Sequence, residues 1–357
     1  MFLVQNPPSA PSTPREQFVS DVGHSHRFKV NIEGGLKLLN RLETDSEIMC
    51  CRFNPEGNLL AVGLVNGVTK IYTVEPLSCV YVLPAEDTGG QPLPVTCLRW
   101  RPNIGNQDFK NILLATYASG SVKTWHVPTM DCISSIQEGG RQVLACAFNA
   151  SASQYITAGS DTTINLYDAT TRQKLFSLEP STSFLVMDGH MMRIFSVMYF
   201  PNDDHVFLSG GWDDTLQWWD SRADSKHSVR RIFGPHICGD ALDILPSNGN
   251  ILTGSWRKDN SVQIWDFNSG ELIRDVPDDF NKSMTYCTQW LPDGQIIAGG
   301  SDQNMLRMLE QSATSTVTIG RMVDLSRAVY TVDNDRSGPN PRIAVGSSNN
   351  IYIVQRS

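Results

Sequence analysis

Long apolar runs are missing from this 357-residue sequence. No stretch approaches the roughly 18 consecutive apolar residues that a membrane-spanning helix needs, so no membrane insertion is expected. CxxC pairs are missing too, although there are eight cysteines. That removes the commonest zinc and redox spacing, and a chain able to build a large core has little need of a disulfide framework. Basic charge is in deficit: 29 Lys and Arg stand against 37 Asp and Glu, a net charge of −8. Nucleic-acid binding needs basic surface to displace phosphate counterions, so it is the secondary reading. No G-x-S-x-G elbow, P-loop or H-E-x-x-H motif occurs, which leaves an enzyme, with a site in a central channel, the least supported class. No cofactor and no metal site is expected.

The N-terminal MFLVQNPPSAPSTP has four apolar residues followed by prolines, which does not fit a secretory signal. A cytoplasmic or nuclear protein is expected. The Pro- and Ser-rich start reads as a disordered tail over residues 1–30, with one folded domain over 31–357. Thr13-Pro14 offers a proline-directed phosphorylation dipeptide. His24-Ser25-His26 lacks further metal ligands at fixed distance.

What is abundant is tryptophan (8), glycine (27) and short apolar strands. The stretch SGGWDDTLQWWD, residues 209–220, could be a hydrolytic site or simply a turn and a strand. Self-similarity decides between them. Strand-like segments recur as VTKIYT (68–73), VKTWHV (122–127), INLYDA (164–169), LQWWDS (216–221), VQIWDF (262–267), LRMLEQ (306–311) and IYIVQR (351–356). Their marker residues Tyr72, Trp125, Tyr167, Trp219, Trp265, Leu309 and Val354 are spaced by 53, 42, 52, 46, 44 and 45. Upstream of most lies a strand that ends in an aromatic and a turn, such as IMCCRFNPEG (48–57), VTCLRWRPN (95–103) or IFSVMYFPN (194–202). Then come a short apolar strand and a tight turn, for example Asn66-Gly67 or Asp213-Asp214, residue pairs that reach positive φ readily.

This pattern resembles the WD40 repeat family. Gly189-His190, YFPND (199–203), SGGWDD (209–214) and Trp219-Asp220 carry the fullest signature, and Pro235-His236 with Trp265-Asp266 repeats its 29-residue spacing. The resemblance implies an all-β fold, a single seven-bladed propeller. It also implies a buried hydrogen-bonded chain of His190, Ser209, Asp213 and Trp219, with His236 and Trp265 as the corresponding structural residues of the fifth repeat. A buried carboxylate needs donors, and imidazole and indole N–H groups supply them. The opening stretch then builds a blade.

The seventh repeat stops before an outer strand. The run LKLLNRLE (36–43) is expected to supply it by pairing with 351–356, closing the ring, because an open sheet edge templates aggregation. Cys50, Cys97 and Cys287 each stand five residues before their turn proline and Cys51 four before, and the four read as small buried strand residues. Asp203-Asp204 and Asp278-Asp279 read as solvated loop acids. Met187–Met192, three of whose residues are spaced around Asp188-Gly189-His190, read as filler between blades.

Where the innermost strands begin, the candidate partner-binding cations are Arg141, Arg193, Lys282 and Arg327, with Arg257 and Lys258 in a turn of the fifth repeat. Asp45, Glu47, Leu93 and Asp240 fall at the same level. Arginine forks match carboxylates and phosphates, so the expected partner is a protein or peptide segment with acidic or phosphorylated groups. The expected role is a non-enzymatic interaction scaffold, a monomeric propeller within a larger complex.

Overall fold

The architecture was analysed in a computed structural model, which describes residues 30–357 other than 87–89, 106–109, 184–185, 280–281 and 302–304. The expectations for the tail, for Thr13-Pro14 and for His24-Ser25-His26 therefore lie outside the described residues.

Seven antiparallel sheets form the blades. Their innermost strands are Ile48–Phe53, Val95–Trp100, Val143–Phe148, Ile194–Tyr199, Leu242–Ile244, Thr285–Trp290 and Val329–Asn334. Each runs from the face we call the top, where the tight turns between second and third strands also lie, to the bottom face. The strand-three markers reach one level in every blade and are all buried: Trp219, Leu309 and Val354 are fully excluded from solvent.

Close approach of one blade to the next needs a small residue on the second strand. Glycine holds that position in five blades. A Cβ at Gly63 would sit 2.7 Å from a methyl of Val95, and one at Gly254 would sit 2.8 Å from methyls of Thr285 and Thr288. Apolar clusters then fill the layers between blades. One joins Ile156, Leu166 and Leu178 of blade 3 to Ile194, Phe207 and Trp219 of blade 4. Another joins blades 6 and 7 through Leu306, Met308, Val332 and Val345. Each such side chain contributes about 1.5–3 kcal/mol on burial, so the core is a ring of interblade layers.

The ring is closed from both ends of the chain. Leu36–Glu43 pairs antiparallel with Asn350–Arg356, with Leu36 opposite Arg356 and Glu43 opposite Asn350. A second contact was not foreseen: Asn31–Gly34 adds a fifth strand to blade 6 by pairing with Thr316–Val323. Gly34, at φ +69°, turns the chain from one blade to the next. The N-terminal segment therefore staples blade 6 to blade 7.

The innermost strands share an irregularity. In six blades the register skips one residue after the first, at Met49, Thr96, Leu144, Phe195, Tyr286 and Tyr330. A bulge of this kind re-aims a side chain, and here it turns six of them toward the top of the channel.

Candidate interaction surface at the channel mouth

The acidic, aromatic stretch of blade 4 lies inside the blade. The Trp219 indole donates to Ser209 Oγ at 2.7 Å, and Ser209 Oγ lies 2.6 Å from His190 Nε2. An indole N–H can only donate, so the serine accepts from it and passes its own hydrogen to Nε2. That leaves His190 Nδ1 to donate to the Asp213 carboxylate, 2.9 Å away. The Met191 N–H and the Thr215 hydroxyl also donate to Asp213, each at 2.8 Å. His190, Ser209 and Trp219 are all fully buried. Burial alone would raise the Asp213 carboxyl, but the hydrogen bonds from His190, Met191 and Thr215 outweigh it and hold it below its ordinary range.

Blade 3 builds the same chain from other residues. Glu138 stands 19 residues before Thr157, as His190 stands before Ser209, and Asp161 and Tyr167 keep the offsets of Asp213 and Trp219. Glu138 accepts from Thr157 at 2.6 Å, Tyr167 at 2.7 Å and Asn165 at 2.9 Å. Arg141 lies 2.8 Å from both Glu138 and Asp161. Arg141 is buried and is not a rim cation: its charge is consumed inside the blade, where leaving Glu138 unpaired would be costly.

Blade 5 departs in the opposite way. Trp265 donates to Thr253 Oγ1 at 2.9 Å, but four residues past Thr253, where blade 4 has Asp213, stands Arg257, and the acid of this longer turn, Asp259, pairs outward with Lys282. The guanidinium of Arg257 bonds the Gly234 carbonyl and Gln263, so Arg257 does not project freely either. His236, deprived of a carboxylate in its own blade, turns to Asp214 of blade 4 at 2.6 Å and does not join Trp265.

The channel is divided midway. Arg52 of blade 1 and Arg99 of blade 2 both engage Asp240 of blade 5, Arg99 through contacts of 2.9 Å to each carboxylate oxygen. Asp240, placed on the rim by sequence, thus reaches across the channel, because blade 5 begins its inner strand late and Cys238–Asp240 fill the gap. Arg52 and Asp240 line the cavities on both sides of this partition.

The lower cavity, about 600 Å³, contains Asp243 and Asp333. Both are occupied by structure. Asp333 accepts from the Phe53 N–H at 2.6 Å and from Gln289 at 2.8 Å, and Asp243 accepts from the Trp290 N–H at 2.7 Å. Each sews its blade to the following one. Burial pushes the Asp243 carboxyl up to about 6.

The upper cavity, about 350 Å³, opens on the top face and is walled by the bulged residues together with Cys238. An aromatic arc continues outward. Phe195 lies 5.3 Å from Trp212, Trp212 stacks over His236, and Trp256, Tyr286 and Tyr330 follow in blades 5, 6 and 7. The Arg193 guanidinium lies 4.7 Å from the centre of the Trp212 ring, and no carboxylate among the described residues pairs with it. Arg327 is exposed and lies 3.7 Å from Glu47. Lys282 pairs with Asp259, both exposed, and Lys258 is exposed. Met191 and Met192 are about half exposed, so they face solvent and do not fill space between blades. Asp279 is bound by Arg321 at 2.8 Å and is not a solvated acid. Cys50, Cys51, Cys97 and Cys287 are buried, and burial pushes the Cys51 thiol up to about 12.

A family model described as "WD domain, G-beta repeat" matches residues 181–220, the segment that contains the whole His190–Trp219 chain. The protein is a WD40-repeat protein. A second WD40 model, "Anaphase-promoting complex subunit 4 WD40 domain", matches residues 28–103. Among similar WD40-type and related sequences are the WD repeat-containing protein slp1 of Schizosaccharomyces pombe, 21% identical over 76% of this chain and 51% of that protein. A guanine nucleotide-binding protein subunit beta of Arabidopsis thaliana is 24% identical over 72% of this chain and 68% of that one. The ribosome biogenesis protein YTM1 of Scheffersomyces stipitis is 33% identical over 40% of this chain and 30% of its own length. The chain spans about half the length of slp1. WD40 families are generally interaction scaffolds, and no helix among the described residues is long and apolar enough to cross a membrane.

The WD40 comparison leaves the channel mouth to the residues themselves. Glu138, Arg52, Arg99 and the six bulged residues were missed in the sequence. Glu138 was accessible through the 19-residue offset to Thr157, and the bulged residues through the second position of the aligned inner strands. Nothing in the sequence brings Arg52 and Arg99 to Asp240, 188 and 141 positions away.

Proposed function

We propose that this protein is a non-catalytic scaffold or adaptor that docks partner proteins on the top face, around the upper channel mouth. The observation that carries the reading is the contrast between the two halves of the channel. Below the partition, Asp243 and Asp333 are spent on backbone N–H groups and on Gln289, and among the described residues there they leave no free pair for acid–base work. Above it, five of the six bulges expend backbone regularity to turn an apolar or aromatic side chain (Met49, Leu144, Phe195, Tyr286 and Tyr330) toward the channel mouth. Aromatic residues beside an arginine are the composition of protein-binding hot spots. Of the cations named from sequence, Arg193 and Lys258 have no carboxylate partner among the described residues, Arg327 and Lys282 hold theirs (Glu47 and Asp259) at the surface where a segment can compete for them, and Arg141 and Arg257 are bonded within their blades. The protein works as a single propeller in a larger assembly of the cytoplasm or nucleus.

Affinity purification with mass spectrometry tests this. The intact chain is compared with a top-face variant, Phe195→Asp with Tyr330→Asp, and with an outer-edge variant, Val80→Asp with Val82→Asp. Loss of the same specific partners only from the top-face variant is expected. Partners retained by the top-face variant, or lost equally from both, would place docking elsewhere.

A further inference from the structure

We infer that the upper cavity seats one large apolar side chain of an extended acidic peptide, a segment of a partner protein in which that residue is flanked by carboxylates. The inference rests on the scaffold reading and names the partner chemistry of its site.

The walls set the anchor. Met49, Leu144, Phe195 and Cys238 offer no strong hydrogen-bonding group, and Tyr286 and Tyr330 add ring surface. At about 350 Å³, the cavity stands at the small end of ligand pockets. It suits a side chain and not a folded element. The inner part of the wall is half-buried and rigid, because each bulged residue is pinned in a strand paired on its far side. A preformed apolar cup binds without much ordering cost.

The charges set the flanks. At the floor, two guanidiniums, Arg52 and Arg99, face the single carboxylate of Asp240. Asp333 of blade 7 also acts on the buried Arg52, so the charges at the floor are matched among themselves. A lysine or arginine anchor would find no unpaired carboxylate there. The carboxylates lining the cup, Glu47 and Asp240, are both engaged by arginines. Arg193, whose guanidinium lies over the Trp212 ring beside Phe195, has its donors free for an acceptor outside the cup. Contact with the ring face leaves guanidinium N–H groups to bond a carboxylate. An apolar anchor entering the cup therefore brings the neighbouring residues of its chain to Arg193 on the rim.

The test pans a displayed library of random twelve-residue peptides on the full-length protein and measures selected peptides by fluorescence anisotropy. The expected consensus is one large apolar position within a net-negative stretch. Replacing that residue by Gly should weaken binding at least about tenfold, as should Phe195→Ala in the protein. Arg193→Glu should weaken it about fivefold or more and flatten its salt dependence, whereas Arg193→Lys should retain part of it. Melting temperatures of the variants, equal to that of the parent, show that folding is intact, and binding is then compared at matched folded fractions. Cationic consensus peptides, a consensus with no apolar position, binding indifferent to Phe195→Ala, or no enrichment at all would overturn the inference. If partners are still purified through the top face in any of those cases, the scaffold reading stands and only the peptide chemistry falls. If no partner depends on the top face, the scaffold reading falls first.

Discussion

Blades 4 and 5 look alike in sequence, with a histidine and a tryptophan 29 residues apart in each, yet they use the histidine differently. In blade 4 His190 is sealed between Asp213 and Ser209. In blade 5 the turn is two residues longer, its acid Asp259 pairs outward with Lys282, Arg257 bonds Gln263 instead, and His236 reaches back to Asp214 of blade 4. Blade 3 supplies the third case: it lacks both His and Trp, and Glu138, Arg141 and Tyr167 still complete a closed chain. What the architecture requires is a saturated set of donors and acceptors at fixed registers. Residue identity is free to change as long as its neighbours change with it.

That comparison can be broken or sharpened by experiment, and removing the latch sets its scale. Deleting residues 1–43 removes the strand opposite Asn350–Arg356 and the fifth strand of blade 6. A loss of several kcal/mol is expected, on the order of 10 °C in Tm, while deleting 1–25 should change Tm by less than about 2 °C. Equal effects in thermal melts would count against closure by the N-terminal strand.

Next in size is the contrast between adjacent acids. Asp213→Ala leaves a buried imidazole, a hydroxyl and an N–H without their acceptor and should cost about 3–5 kcal/mol. Asp214→Asn, which keeps a residue suited to the left-handed backbone (φ +56°) at an exposed site, should stay within about 0.5 kcal/mol. Urea unfolding that returned similar values would mean that the blade 4 chain is not the element we describe.

The pH dependence separates the blades further. Asp243 of blade 5, pushed up to about 6 by burial, keeps its proton in the folded state at pH values where the unfolded chain, near 3.8, has lost it. Its contribution to stability is full below about pH 3.8 and is lost as the pH rises through 6, a total change on the order of 3 kcal/mol. Asp213 runs the other way: its contribution is full above the unfolded value and lost as the pH falls through its lowered folded value. Asp243→Asn should therefore look more favourable at pH 7 than at pH 4.5 by about 2 kcal/mol, and a difference independent of pH would refute the assignment.

Glu138→Gln in blade 3 keeps the shape but strips the charge that neutralises Arg141. A cost of about 1–3 kcal/mol is expected. The smallest effect is assigned to His236→Ala, below about 1 kcal/mol, against a severalfold larger cost for His190→Ala. Comparable losses at the two histidines would restore the equivalence that the 29-residue spacing suggests.

Much of the fold was legible because propeller blades write themselves into local sequence. Strand-three markers recur at every blade and aromatic strand ends and tight turns at most of them, and the lone run LKLLNRLE announced the missing outer strand. The fifth strand of blade 6 was not legible, since NIEG is four residues with no apolar alternation. The candidate site was harder. Arg141 reads as a loop cation until its neighbours Glu138 and Asp161 are placed around it, and Asp240 reads as a rim acid until the late start of Leu242–Ile244 turns it inward. Met191 and Met192 read as filler because their register lies one step outside the strand.

By itself the sequence determined the number of blades, their closure from both ends and the buried role of Trp219, Ser209 and His190, since these follow from periodic burial and from hydrogen bonds over a few tens of residues. Only the tertiary structure decided which charges are spent and which are available. Arg52, Arg99 and Asp240 meet because ring closure brings blades 1, 2 and 5 around one channel, and the cup above them exists because six bulges point to the same axis. Charge pairing across a ring depends on distance in space, which local spacing does not encode.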